Sequence, residues 1–185
     1  MRLRSARIAP ADPAELSDDQ KAALEGLPPL NIFRVLVRAP KALTGFLAWG
    51  NYVLSRRNSL PAREREIVIL RTGYLCRSGY EFTQHTRIGL RDGLSHEEIA
   101  AIKGGADGGT WSAADRALIR AADELHADQF ISETTWAELG EHFDDKQRMD
   151  VVFTVGQYTQ VSMILNTFGV QLEPGESLDP DLAAY

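Results

Sequence analysis

Two side chains that could transfer protons, Glu81 and His85, stand four residues apart in the segment Tyr80-Glu-Phe-Thr-Gln-His85. On a helix this spacing places both on one face, about one turn apart. A carboxylate beside an imidazole can do general acid and base work, because it orients the imidazole and stabilises its charged form. The spacing alone leaves a second interpretation open, an ordinary Glu–His pair on a helix surface.

Metal and thiol chemistry are not favoured by the sequence. A metal site needs three or four ligands, and the other three histidines stand in polar surroundings, so we expect no metal or other cofactor. Cys76 is the only cysteine, which rules out an intramolecular disulfide and a Cys-x-x-Cys pair and fits a reducing cytoplasm. It falls near a predicted helix C-terminus, where a thiolate is not stabilised, so a structural role is favoured.

The last predicted helix has a polar seam, in which Thr154, Tyr158, Ser162 and Asn166 recur every four residues among valines, isoleucine and leucine. Two interpretations are open. The seam hydrogen-bonds to neighbouring helices, since buried polar groups need partners, or it lines a pocket for a polar ligand.

The charge balance limits the partners that the chain can bind. A formal charge of −6 and a pI near 5.2 argue against nucleic acid, which needs a concentrated basic surface. No window approaches the ~20 apolar residues of a membrane helix, and the N-terminus lacks the apolar stretch of a signal peptide. We therefore expect a soluble, cytoplasmic protein that acts on a small molecule.

The elements that position these side chains are predicted to be helices. Capping boxes start helices at Ser17, Ser95 and Asp144, Pro61 starts another, and no stretch shows sustained two-residue alternation. The prediction is an all-α fold with seven or eight helices in a single domain, residues 1–185. Residues 1–16 are expected to be irregular, and residues 170–185 to form a tail with little structure.

Three runs resemble the carboxymuconolactone decarboxylase family, which includes the alkyl hydroperoxidase D (AhpD) type proteins. They are Leu60-Pro-Ala-Arg-Glu-Arg-Glu-Ile67, Tyr80-Glu-Phe-Thr-Gln-His85 and Gly93-Leu-Ser-His-Glu-Glu-Ile99, within a core of residues 40–105. The resemblance implies a helical homo-oligomer, a trimer or trimer-based hexamer, with active sites near subunit contacts.

The peroxidase-type relatives carry a glutamate, then Cys-x-x-Cys, then histidine. Counting back from His85 places Glu66 at the glutamate and Ser78 and Glu81 at the two cysteines. Both redox cysteines are therefore absent, and the resemblance implies that disulfide-based peroxidase activity is missing. The decarboxylase-type relatives carry a Glu-x-x-x-His arrangement like that of Glu81 and His85.

The resemblance implies a lyase that decarboxylates a small carboxylated lactone or oxo acid. His85 would deliver a proton to the resulting anion, Glu81 would orient His85, and Glu66 would complete a proton relay. Candidates for holding the substrate are three hydrogen-bonding side chains and one cation: Tyr80, Tyr158, Asn166 and Arg71.

Three alternatives remain open at this point. Cys76 could act in thiol or peroxide redox chemistry, in which case its replacement would abolish turnover. The chain could be a non-catalytic oligomer that binds a small apolar acid. It could also be an isomerase or a ring-opening hydrolase on a related lactone, using the same acid and base.

Overall fold

The computed structural model describes residues 2–183, and within that part the chain is all-α, as predicted, with nine α-helices, three short 3-10 turns and no strand. The helices are α1 Asp18–Leu24, α2 Asn31–Leu36, α3 Pro40–Leu54, α4 Ala62–Leu75, α5 Gly79–Arg91, α6 His96–Ile102, α7 Ala113–Asp128, α8 Glu133–Gly140 and α9 Asp145–Phe168. The 3-10 turns are Pro13–Glu15, Gly105–Asp107 and Pro180–Leu182.

Helix α2 is the one helix that the sequence did not predict. It has six residues and no side-chain cap at its N-terminus, so it offers neither a capping signal nor enough length for a periodic pattern. The predicted capping boxes at Ser17, Ser95 and Asp144 are all present, each with both of its hydrogen bonds.

Helix α4 runs through the centre of the molecule and packs against α5, α7 and α9. Every residue from Arg65 to Gly73 is buried, because neighbours cover this helix on all sides. The main hydrophobic core forms around it, chiefly from α4, α5, α6, α7 and α9, with Ile67, Leu70, Phe82, Ile102, Leu118, Ile119 and Val151 among its members.

A second hydrophobic cluster lies on the other side of α5, where α2, α5 and α9 meet. Its buried members are Ile32, Val35, Tyr80, Val161, Leu165 and Val170, with Phe33 and Phe46 packed against them. The unpredicted helix α2 thus supplies one wall of the region beside the predicted site.

Hydrogen bonds, an ion pair and apolar packing attach both terminal segments to the helices. In the N-terminal segment the backbone N–H groups of Arg7 and Ile8 donate to the carbonyl of Phe168, over 2.9 and 3.2 Å. In the C-terminal segment Asp179 pairs with Lys103 at 3.0 Å, and Leu182 is buried in the main core. None of the helices in residues 2–183 has the length and apolar character needed to span a membrane.

Candidate active site

Helices α4 and α5 approach each other closely at two glycines, which brings their polar residues together. A Cβ atom added at Gly73 of α4 would lie 3.7 Å from the Cβ of Glu81, and one at Gly89 of α5 would lie 3.8 Å from the Cβ of Glu66. Leu94 leaves even less room, since its Cδ1 would be 3.0 Å from the Cβ at Gly89. Gly73 and Gly89 therefore mark places where α4 and α5 are in direct van der Waals contact.

Glu66, Glu81 and His85 converge at this helix contact. His85 Nδ1 lies 2.7 Å from Oε2 of Glu66, and His85 Nε2 lies 2.9 Å from Oε1 of Glu81. The imidazole thus bridges two carboxylates from different helices. The exposed fractions are 0% for Glu66 and 5% for Glu81 and His85, so the contacts are shielded from bulk water.

The two carboxylates determine the charge of the imidazole. Burial alone would lower the pKa of His85, but the charges and hydrogen bonds of Glu66 and Glu81 outweigh that effect and raise the pKa to about 10. At neutral pH the site therefore holds an imidazolium between two acceptors. Such a chain can pass a proton between Glu66 and Glu81 without a large rearrangement.

A cavity of about 190 Å³ lies beside Glu81 and His85. Its walls come from α2, α3, α5 and α9 and are mostly apolar. The lining side chains include Leu30, Ile32, Phe33, Phe46, Leu47, Leu54, Ile88 and Val161, together with Asn51, Tyr80, Gln84, Gln157 and Tyr158.

Glu81 is the member of the triad through which the cavity can exchange protons. Both ring nitrogens of His85 are occupied by carboxylates, and Glu66 is fully buried and does not line the cavity. Within residues 2–183 Glu81 Oε2 has no partner, and it is not among the fully enclosed polar atoms. His85 also lines the cavity, but carboxylates occupy both of its ring nitrogens.

Tyr158 lies across the cavity from α5, with its ring edge-on to the imidazole of His85 at a centroid distance of 4.9 Å. Its hydroxyl makes no hydrogen bond to any described residue. Burial, followed by the charges of Glu81 and Glu66, raises the pKa of Tyr158 well above its ordinary value, so the hydroxyl stays protonated. It is a free hydrogen-bond donor.

A buried guanidinium balances the charge of this site. Arg65 is 9% exposed and forms no ion pair with any carboxylate in residues 2–183. Its positive charge lowers the pKa of Tyr158, whereas the charges of Glu66 and Glu81 raise it. The formal charges of the two carboxylates, the imidazolium and this guanidinium therefore sum to zero.

Three of the predicted substrate-binding side chains have other partners. The hydroxyl of Tyr80 donates to Glu173 Oε1 at 2.7 Å, although its ring lines the cavity. Arg71 binds Asp123 and the carbonyls of α6, away from the cavity. Asn166 donates to the carbonyl of Cys76 at 2.9 Å and is also outside it. Of the four candidates, Tyr158 alone presents a free polar group there.

Different residues of the polar seam of α9 fit the two interpretations, helix packing and ligand binding. Thr154 donates to the carbonyl of Asp150 and accepts from Asn58, as expected for helix packing. Ser162 is buried, and its hydroxyl lies beside the thiol of Cys76. Tyr158 faces the cavity. The seam is therefore partly structural and partly available to a ligand.

Cys76 lies apart from the cavity at the C-terminal end of α4. Its sulfur is 3.7 Å from Nδ1 of His126. Burial raises the pKa of the thiol, although neighbouring hydroxyl groups oppose the shift. The thiol form is thus favoured at neutral pH, and a thiolate nucleophile is not.

Sequence reasoning missed Gln157 and the walls from α2 and α3. Gln157 is 4% exposed, lines the cavity, and has a buried side-chain oxygen with no partner in residues 2–183. Its position next to Tyr158 in the polar seam was the available signal. The apolar walls gave no signal, because such residues are as frequent in an ordinary core.

A known protein family matches the middle of the chain. Residues 40–124, which hold Glu66, Glu81 and His85, match the carboxymuconolactone decarboxylase family. No curated protein matches the chain in sequence.

Solved structures share its fold. A peroxidase-related protein from Ralstonia eutropha with an AhpD core has 19% identity and a TM-score of 0.78, covering 91% of this chain and 93% of that one. One from Silicibacter has 16% identity and a TM-score of 0.77, covering 93% and 95%. The debrominase Bmp8, bound to 2,3,4-tribromopyrrole, has 11% identity and a TM-score of 0.74, covering 92% and 94%.

These similarities establish the helical fold of the chain and leave its reaction to be argued from its own residues. The Cys-x-x-Cys pair of the peroxidase-type relatives has no counterpart here, since Ser78 and Glu81 occupy the matching positions. Within residues 2–183 no group of three or more His, Cys, Asp and Glu side chains is arranged to hold a metal ion. The site contains groups for acid–base chemistry, namely Glu66, Glu81 and His85.

Proposed function

We propose that this protein is an acid–base enzyme in which the Glu81–His85–Glu66 chain exchanges protons with a small molecule bound in the cavity. The observation that carries the proposal is the double contact of His85, at 2.7 and 2.9 Å from two buried carboxylates. Such an arrangement is typical of a general acid or base whose protonation state is held by its neighbours.

In the proposed reaction Glu81 acts on the substrate and His85 acts on Glu81. A carboxylate oxygen of Glu81 takes a proton from an acidic carbon, and the electron pair of the C–H bond moves onto the substrate oxygen as an enolate. Tyr158 donates a hydrogen bond to that oxygen. The proton then returns from Glu81 to the same or a neighbouring carbon, so that atoms and charges balance over the cycle. The His85 imidazolium stabilises the ionised form of Glu81 before and after the transfer.

The family suggests a narrower form of this proposal, the decarboxylation of a small carboxylated lactone or oxo acid. The C–C bond would break with release of carbon dioxide, its electron pair would stay on the substrate, and the carbanion would take a proton from the His85–Glu81 pair, which water would then reprotonate. The match of residues 40–124 to the decarboxylase family supports this version. In this version the protein would be a carboxy-lyase of aromatic compound catabolism.

The test uses two lactones and two variants. Wild-type protein, Glu81→Gln and His85→Gln are incubated in deuterium oxide with α-angelica lactone, a neutral unsaturated lactone, and with γ-carboxymuconolactone. NMR follows double-bond migration and deuterium incorporation, and a carbon dioxide assay follows decarboxylation. Turnover that both variants lose supports the proposal. Turnover that both retain, or no turnover of either lactone, contradicts it.

Assembly into a trimer or a trimer-based hexamer is also proposed, on the family resemblance. Large apolar side chains that remain exposed on α3 and α9 support it: Trp49 is 41% exposed, Met149 52% and Met163 63%. Met149 and Met163 lie about four turns apart on one face of α9. Sedimentation velocity at micromolar concentration is expected to show the trimer or hexamer, and a monomer would contradict this assembly.

A further inference from the structure

The charge distribution around the cavity bears on what can bind there. Within residues 2–183 no lysine or arginine lines the cavity, and Glu81 is the only charged side chain besides His85 that does so. Arg65 already offsets the second carboxylate of the triad, which leaves no net positive charge for an anion. A carboxylate in the cavity would lie near Glu81 with no cation to receive it, and burying an unpaired charge is costly.

The size of the cavity limits the ligand to about one ring. An apolar cavity of about 150 Å³ accepts benzene, and this one holds about 190 Å³. Its walls are aliphatic and aromatic side chains, among them Ile32, Phe33, Phe46 and Val161. A ring with one small substituent fills such a space and buries its apolar surface against these walls.

Besides Glu81, Gln157 and Tyr158 present free hydrogen-bonding groups to the cavity. The carboxamide of Gln157 makes no hydrogen bond to any described residue, although the side chain is 4% exposed. Its nitrogen lies next to Gly50 of α3, where an added Cβ would be in van der Waals contact with it at 3.5 Å. An unpaired buried carboxamide loses the hydrogen bonds it made to water, so a ligand that restores one is favoured.

We propose that the cavity binds an uncharged, ring-sized apolar molecule with one hydrogen-bonding group, held by Gln157 and Tyr158, and that it rejects carboxylates. This proposal names the substrate class for the proposed function. It rests on the proposed function only in taking the cavity beside Glu81 as the active site. It favours proton transfer on a neutral ring over the decarboxylation of an anionic lactone. Gln157 is the specificity-determining residue, because it recognises the polar group of the ring.

The first test measures the binding of two ligands of similar size, one neutral and one anionic, to the wild-type chain. Benzamide is neutral, and benzoate is an anion at pH 7. Each is titrated into nitrogen-15-labelled protein, and chemical shift changes at the lining residues give the Kd. Benzamide is expected to bind at least about tenfold more tightly. Benzoate binding as tightly as benzamide, or more tightly, overturns the proposal.

The second test isolates Gln157 with phenol and toluene, two rings of similar size in which a hydroxyl group is replaced by a methyl group. In Gln157→Leu the Kd of phenol is expected to rise about fivefold, with the Kd of toluene nearly unchanged. Gln160→Leu is the matched control, because Gln160 lies one turn away on the exposed side of α9. It should alter neither Kd. A loss of affinity for both ligands in Gln157→Leu, or for neither, overturns the role of Gln157.

These measurements separate the inference from the proposed function. Binding of the neutral ligands without turnover of any lactone would leave the substrate class standing and refute the catalytic role. Tight benzoate binding together with turnover that depends on Glu81 would refute the substrate class and leave the catalytic role standing. The benzamide and benzoate titrations need no variant, so a folding defect in Gln157→Leu does not affect them.

Discussion

Glu66 and His85 lie on different helices, yet the imidazole Nδ1 is 2.7 Å from a carboxylate oxygen that no water can reach. The contact forms where α4 and α5 pack together, close to Gly89 of α5. It makes Glu66 a positioning residue, which sets the charge and orientation of His85 without touching the cavity.

The role of Glu66 can be read directly from the titration of His85. Glu66→Gln removes one of the two negative charges beside the imidazole, so the pKa of His85 is expected to fall below its value of about 10 in the wild-type protein. Carbon-13 NMR of the imidazole across pH measures the shift. Glu64→Gln is the control, since Glu64 lies on the same helix but has Arg63 as its ion-pair partner, at 3.7 Å.

Glu66→Gln is also expected to slow turnover by about one to two orders of magnitude through the altered proton donor, with little effect on KM. An unchanged pKa of His85 in this variant would contradict the proposed relay.

The raised pKa of His85 makes protein stability depend on pH. The imidazole takes up its proton in the folded protein below about pH 10, and in the unfolded chain only below about 6.5. Its contribution to the free energy of unfolding is therefore complete below about pH 6.5 and is lost as the pH rises towards 10. Within this window the loss is expected to approach about 1.4 kcal/mol per pH unit.

Urea unfolding of the wild-type protein and His85→Gln at several pH values measures this dependence. The difference in unfolding free energy between the two proteins should decrease from pH 6.5 to pH 10. Parallel pH profiles would show that His85 is not held protonated in the folded state.

Tyr80 and Tyr158 both line the cavity, but their hydroxyl groups are expected to act differently. The hydroxyl of Tyr80 donates to Glu173, so Tyr80→Phe should lower the free energy of unfolding by about 1.5–3 kcal/mol, as for a hydrogen bond to a charged group. The hydroxyl of Tyr158 has no protein partner in the described chain. Tyr158→Phe should therefore leave stability almost unchanged and reduce turnover. If Tyr158→Phe lost stability and Tyr80→Phe lost only turnover, the two roles would be exchanged.

Cys76 provides a test of the thiol alternative. Because the thiol lies outside the cavity and burial raises its pKa, Cys76→Ser is expected to retain turnover of the lactones. Peroxide consumption with a dithiol reductant is measured on the same two proteins. Peroxide turnover by the wild-type chain that disappears in Cys76→Ser would instead favour redox chemistry.

The sequence was most informative about features that depend on local spacing. The capping residues Ser95 and Asp144 marked helix starts, and the four-residue interval placed Glu81 beside His85 on α5. Glu66 was predicted as a site residue only through the family resemblance. Its contact with His85 joins two helices, and the periodicity of a sequence cannot predict such a contact.

The sequence was less informative wherever tertiary packing decides the partner. Arg71 and Tyr80 were predicted to bind substrate, and the sequence did not indicate that they also bind carboxylates remote in sequence, Asp123 and Glu173. Gln157 was overlooked because a glutamine on a helix is usually solvated. Its importance follows from its burial beside the cavity, which only the assembled fold reveals.

The most direct test of the central claim is the rate at which α-angelica lactone isomerises in the presence of Glu81→Gln. Glu81 is the only member of the triad that offers an unpaired oxygen to the cavity within residues 2–183. The variant is predicted to lose at least about two orders of magnitude in rate. The exposed Glu141→Gln should match the wild-type rate. A rate for Glu81→Gln equal to that of the wild-type protein would contradict the account.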